Sequence, residues 1–243
     1  MKNRSVKHSL YLSVLILLAI IGLSSPKVSA LTLADLLAGG SIQVDDKIFY
    51  NFHDYNSVGT NGALAIDPSN IIVNPRISTI DGVEEIGLRF TVGGLFVTAG
   101  QFQDIVFEFN VTTTFGDDRI VDDYLEMNGG TRGNGLAYIS ETVSDENGLI
   151  NNLLVSQNKL GGHSTDIAYF DPQDILRIRK DVQVYGGEGE GCQDPINCTA
   201  AISDFSQLFS QYTGGRIPEP SSMLLLGTGL VGLMGWRRRR FSK

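Results

Sequence analysis

Two cysteines and three histidines in 243 residues leave little material for metal or thiol chemistry. Two cysteines exclude a disulfide-dense scaffold and any multi-cysteine zinc or iron–sulfur cluster. His8 lies close to the N-terminus, so only His53 and His163 serve the body of the chain. Neither neighbours a Gly-x-Ser-x-Gly elbow or a zinc-binding helix motif, and both read as surface or turn residues. Basic residues are scarce between 31 and 219, where 10 basic side chains face 27 acidic ones, although the whole chain sums to only −8. A stretch this acidic repels nucleic acid and anionic lipid, which excludes nucleic acid as a partner. Long apolar runs are missing too. Leu10–Leu23 and Met223–Trp236 hold 14 residues each, short of the roughly 17–25 that a spanning helix uses. What is present is an apolar fraction of 42%, enough for a sizeable core and against global disorder.

The missing basic charge sits at the two ends. Lys2, Arg4 and Lys7 precede the first apolar run, and small residues ending Val28-Ser29-Ala30 follow it after Pro26. That three-part layout predicts a secretory signal peptide over residues 1–30, cut after Ala30 by signal peptidase. At the other end, Pro218-Glu219-Pro220 leads into the second apolar run, and Arg237, Arg238, Arg239 and Arg240 close it. A helix over 221–236 would cross a thinned bilayer, with the arginines held on the cytoplasmic side. Gly227-Thr228-Gly229-Leu230-Val231-Gly232 formally matches a dinucleotide fingerprint, but it lies inside this run with no strand before it.

These three C-terminal elements in that order resemble the PEP-CTERM sorting signal of Gram-negative bacteria, over residues 218–243. The resemblance implies recognition by an exosortase, an integral membrane protease or transpeptidase that removes the tail near Pro218–Pro220. It also implies a transient stay in the inner membrane, then delivery to the cell surface or extracellular matrix. Two prolines hold the motif extended and outside the helix, as a protease cleft requires. The opening of the body, Leu33-Ala34-Asp35-Leu36-Leu37-Ala38-Gly39-Gly40-Ser41-Ile42 with Asp46–Phe49 and Asn51-Phe52, resembles the start of uncharacterised PEP-CTERM secreted proteins.

Residues 31–213 read as one all-β exported domain, a β-sandwich or jelly-roll-like fold, with 214–217 as linker. Leu33–Ala38 predicts a short helix stopped by Gly39-Gly40. Beyond it, period-2 alternation dominates. Ile42, Val44, Ile48, Tyr50 and Phe52 are expected on one face, with Lys47 on the other. Ile105, Phe107, Phe109 and Val111 alternate with Glu108 and Asn110. Ile178, Val182 and Val184 alternate with Arg177, Arg179, Asp181 and Gln183. Turns are expected at Asn74-Pro75, Asp81-Gly82, Gly93-Gly94, Gly129-Gly130 and Asp171-Pro172. Glu146-Asn147-Gly148-Leu149 predicts a type I′ hairpin. Ala200–Phe209 fits a strand and a helix equally.

Catalytic residues are not expected, and neither is a resident cofactor. Oxidising export makes a disulfide between Cys192 and Cys198 the expected state, with free thiols as the alternative. Asp117, Asp118, Asp122 and Asp123 form the densest acidic group and are the candidates for calcium, although their spacing fits no EF-hand. Tyr50, Tyr55, Tyr124, Tyr138, Tyr169 and Tyr185 would serve either as packing or as platforms for sugars. The leading expectation is an exported, non-enzymatic surface or matrix protein associated with exopolysaccharide or biofilm. A carbohydrate-binding β-sandwich module is the alternative, and a secreted glycan hydrolase the lesser one.

Overall fold

The computed structural model describes residues 31–114, 116 and 118–213. The expected signal helix, the linker 214–217, the sorting motif Pro218–Pro220, the helix over 221–236, Arg237–Arg240, the cleavage residue Ala30 and Asp117 lie outside the described residues. No helix among the described residues is long and apolar enough to cross a membrane.

Among the described residues, fifteen strands follow in chain order: β1 (Leu31–Thr32), β2 (Ile42–Val44), β3 (Lys47–Thr60), β4 (Ile71–Ile80), β5 (Val83–Val92), β6 (Phe96–Thr98), β7 (Phe102–Thr113), β8 (Asp118–Arg132), β9 (Leu136–Asp145), β10 (Gly148–Asn158), β11 (Gly161–His163), β12 (Thr165–Gln173), β13 (Ile175–Tyr185), β14 (Thr199–Phe209) and β15 (Gln211–Thr213). The helix α1 (Leu33–Leu37) starts in a reciprocal cap, with Asp35 N–H donating to Thr32 Oγ1 at 3.2 Å and Thr32 N–H to Asp35 Oδ2 at 2.9 Å. Gly39, at φ +97°, ends it as expected.

All pairings are antiparallel and make two sheets. One runs β1-β4-β5-β14-β8-β12, with β15 also beside β8 and β6 beside β14; the other runs β11-β10-β9-β13-β7-β3-β2. Alternation in each strand sends its apolar side chains between the sheets. The phenylalanines meet there: Phe90 stacks on Phe205 at 4.9 Å between ring centroids and tilts against Phe107 at 5.4 Å, and Phe52 stacks on Phe109 at 5.1 Å. The all-β sandwich architecture is thus the observed one.

Several local expectations give way. Asp45, at φ +49°, turns the chain between β2 and β3, which pair Val44 with Lys47. The turn resets the alternation, so Lys47 and Phe49 point inward while Ile48 and Tyr50 do not. A bulge at Asn51, φ +56°, resets it again and buries Phe52. Asn74-Pro75 is no turn but part of β4. Beyond Val73 that strand has no partner on its β1 side among the described residues, so a proline there breaks no ladder bond among them. Gly129-Gly130 continues β8 against β14. Pro172 sits in the register break of β12, an edge strand. The β9–β10 hairpin forms at Glu146-Asn147, but neither residue has positive φ, so the turn is not type I′. Gly148 takes the positive φ of +131° instead. The Asp145 carboxylate accepts from the N–H groups of Asn147 and Gly148 at 2.7 and 2.9 Å. Residues 199–209 resolve as a strand, central in its sheet and buried on both faces from Phe205 onward.

Candidate functional site: a polar sheet face and a charged cluster in the core

The alternation that buries Phe107, Val182 and Ile139 leaves their neighbours on the outer face of the seven-stranded sheet. Register lines them up in rows. Asp104, Gln183 and Tyr138 oppose one another across β7, β13 and β9; His53, Glu108, Arg179 and Thr142 form a second row. The rows are tied together. Tyr138 OH donates to Gln183 Oε1, and Gln183 Nε2 donates to Asp181 Oδ1 at 2.7 Å. Arg179 Nη1 donates to Glu108 Oε1 at 3.1 Å. Burial, and then the adjacent Asp181 carboxylate, push the Asp104 carboxyl up to about 6. Burial and the same two carboxylates raise the Tyr138 hydroxyl. A depression of about 320 Å³ continues this face, lined by Asn110, Asp145, Asn147, Asp174 and Arg177.

His53 Nε2 lies 3.7 Å from Glu108 and 3.9 Å from Asp54. These three offer ligand atoms within 4.8 Å of one another, although Arg179 holds the same Glu108 carboxylate. His53, read from sequence as a surface or turn residue, therefore sits on a strand within an ionic group.

A second polar group lies between the sheets. Lys180 follows Ile178 in the inward phase of β13, and Glu141 follows Ile139 in that of β9; the two are directly opposed in register. Their side chains are fully buried and ion-paired. Gln207 Nε2, from β14, donates to Glu141 Oε1 at 2.9 Å. Lys180 Nζ lies 5.9 Å from the centroid of the Phe205 ring. Asp123 of β8 is 0% exposed, and neither of its oxygens has a hydrogen-bond partner. Burial outweighs the attraction of Lys180 and raises the Asp123 carboxyl well above the usual range. Burial likewise lowers the Lys180 amine to about 7, against the pull of Asp123. Of this group only Asp123 was singled out from sequence, as a calcium candidate; Lys180, Glu141 and Gln207 were not. The signal that was there is a charged residue in the apolar phase of a strand.

Of the acidic residues that are candidates for calcium, Asp118, Asp122 and Asp123 are buried, and Asp117 lies outside the described residues. Asp122 accepts from both the N–H (2.6 Å) and the hydroxyl of Ser210, filling the break between β14 and β15. Asp123 is fully buried within β8, and Asp118 is buried at its start. Cys192 and Cys198 form a disulfide with Cα atoms 5.2 Å apart. Of the tyrosines, Tyr50, Tyr138 and Tyr185 share the outer face described above. Tyr55 donates to the Ile66 carbonyl at 2.5 Å, and Tyr169 is exposed on β12.

The described residues therefore make an antiparallel two-sheet sandwich with one hydrogen-bonded polar face and a charged core. The segment that follows them carries a PEP-CTERM protein-sorting motif, matched over residues 216–240. No curated protein sequence matches the chain. Among solved structures, the enzymatically active domain of tailspike protein 4 from bacteriophage CBA120 is 12% identical over 65% of this chain, with a TM-score of 0.29; the chain spans only 19% of that protein's length. TmCBM61 in complex with β-1,4-galactotriose is 14% identical, over 65% of this chain and 86% of that one, with a TM-score of 0.24. The family 11 carbohydrate-binding module from Clostridium thermocellum is 11% identical over the same shares, with a TM-score of 0.19. Scores this low place no functional weight on the likeness.

Proposed function

We propose that this chain is an exported, non-enzymatic protein of the cell surface or extracellular matrix, delivered through its C-terminal segment and clipped there by an exosortase. The observation that carries the proposal is the PEP-CTERM motif at residues 216–240. The basic, apolar and small-residue layout of residues 1–30 supports export by the general secretion route. In this reading residues 221–236 hold the chain in the inner membrane until cleavage, and Arg237–Arg240 stay cytoplasmic. Expression in a host with and without exosortase tests it. A smaller, released or surface-exposed form should require the enzyme; identical mass and location in both hosts would remove the proposal.

The outer face of the seven-stranded sheet favours a second reading, polysaccharide binding by the sandwich. Tyr50, Tyr138 and Tyr185 stand half-buried in the register of that face, with the donors and acceptors of Gln183, Asp181 and Asn110. Ring faces with flanking hydrogen-bonding groups suit the alternating apolar and hydroxylated surfaces of sugars. Retention of the exported protein on a glycan array, lost by roughly tenfold or more in Tyr138→Ala, would support it. Absence of retention on every polysaccharide would dismiss it.

A further inference from the structure

We propose that Lys180 and Glu141 become joined by an amide bond between Nζ and Cδ, formed in the folded core without an added enzyme. The proposal rests on the described residues and is independent of the sorting reading above.

Four observations carry it. First, the pair is held in place by the fold. Lys180 and Glu141 are opposed residues of adjacent antiparallel strands, both facing inward, with Nζ against Oε2. Such confinement raises the effective concentration of amine and acyl carbon by orders of magnitude. Second, both groups are fully buried. In water an amine and a carboxylic acid are stabilised as ions, and condensation is unfavourable. Between the sheets, beside Phe205 and opposite Phe107 in register, the ions lose that hydration. Third, Gln207 Nε2 donates to Glu141 Oε1, the oxygen turned away from the lysine. This donor stands where negative charge would develop on the tetrahedral intermediate. Fourth, Asp123 is completely buried with both oxygens unpartnered. It comes from β8 of the facing sheet, its charge is felt by Lys180, and no structural hydrogen bond employs it.

The reaction balances without a co-reactant. A proton passes from the Lys180 ammonium to Glu141 Oε2 within the pair, and the neutral amine so formed attacks the carboxylic acid at Cδ, forming an N–C bond. The Cδ–Oε2 bond breaks, and Oε2 departs as water. Protonated Asp123 gives its proton to the leaving hydroxyl and recovers one from the lysine nitrogen. The burial that lowers the amine to about 7 and raises the Asp123 carboxyl favours these starting protonation states. Amine plus carboxylic acid gives amide plus water. The product replaces a buried ion pair by a neutral group that Gln207 still hydrogen-bonds, and it ties β9 to β13 covalently.

The test is peptide mass spectrometry of the denatured full-length chain after cleavage at arginine. The wild type should yield a branched peptide joining the segment after Arg132, which holds Glu141, to the segment that begins at Lys180. Its mass should fall short of the two linear peptides by one water. Lys180→Met and Glu141→Ala should each remove it completely. Asp123→Asn keeps both joined residues and the local volume; circular dichroism reports whether it folds, and the folded variant should yield the linear peptides alone. Linear peptides alone from the wild type would overturn the proposal, and so would a branch ending on Asp123. A branch that persists undiminished in Asp123→Asn would overturn the role given to Asp123.

Discussion

Glu85 is 2% exposed on β5, and its Oε2 has no hydrogen-bond partner. Burial, then the charge of Asp122, push its carboxyl from the ordinary 4.5 up to about 8, with Lys47 pulling the other way. Below pH 4.5 folded and unfolded chains both hold this proton. Between 4.5 and about 8 the unfolded chain has released it and the folded chain keeps it, so stability falls as pH rises. Above that window the penalty is constant. Glu85→Gln removes the titration. The thermal midpoint of the variant should gain on the wild type steadily between pH 4.5 and about 8 and hold that gain above it. A gap that does not change with pH would show that Glu85 ionises normally. Lys47 is the companion case. It is fully buried, donating to Asp46 Oδ1 at 3.2 Å and to Gln211 Oε1 at 3.4 Å. Its burial was not legible in the sequence, because the two-residue turn before it flips the alternation that placed it outside.

The segment between β13 and β14 is irregular, and its anchor is the Cys192–Cys198 disulfide. Cys198 Sγ also lies 3.5 Å from the backbone N of Asn134, in the turn between β8 and β9. Gly133 in that turn, at φ +58°, has no room for a side chain, since a Cβ would come 2.6 Å from the same sulfur. Cross-linking residues six apart constrains only a short loop, so the chain-entropy contribution is about 2 kcal/mol. Cys192→Ser with Cys198→Ser should therefore lower unfolding free energy by about that amount in urea titrations. Loss of folding altogether would mean the bridge organises the sheets as well as the loop. Strands β7 and β13 were readable as elements because their apolar phase is almost unbroken. Strand β14 was not, since Phe205, Leu208 and Phe209 satisfy helical spacing too; its place between β5 and β8 decides the matter. The prolines of β4 and β12 misled for a related reason. Only the sheet order reveals that each stands where no ladder bond is lost.

Between 31 and 219 the chain is strongly acidic, and nearly half of its basic residues lie in the terminal segments. The C-terminal one of these segments carries the sorting motif, at residues 216–240. Among the described residues, the buried hydrophobic core runs from Leu33 to Phe209. Deleting residues 216–243 should accordingly leave the body's thermal midpoint unchanged while abolishing exosortase-dependent release. A marked drop in the midpoint would mean that the sorting segment contributes to the fold. The polar sheet face is a property of this assembled body. Asp104, Tyr138 and Gln183 are 34 and 45 positions apart between the first and second and the second and third, and only the order β9-β13-β7 brings them into one row.

Residue order alone carried the address, because a sorting signal is read as a short linear pattern whose charge, apolar length and prolines act locally. It also carried the all-β class, because period-2 alternation is a local record of which side of a strand meets water. It did not carry the faces of β3, the row that joins Tyr138 to Asp104, or the meeting of Lys180, Glu141, Gln207 and Asp123. Those depend on turns and bulges that shift phase by one residue, and on which distant strands become neighbours. Both are settled by the packing of two sheets against each other, where a single reset exchanges the inside for the outside.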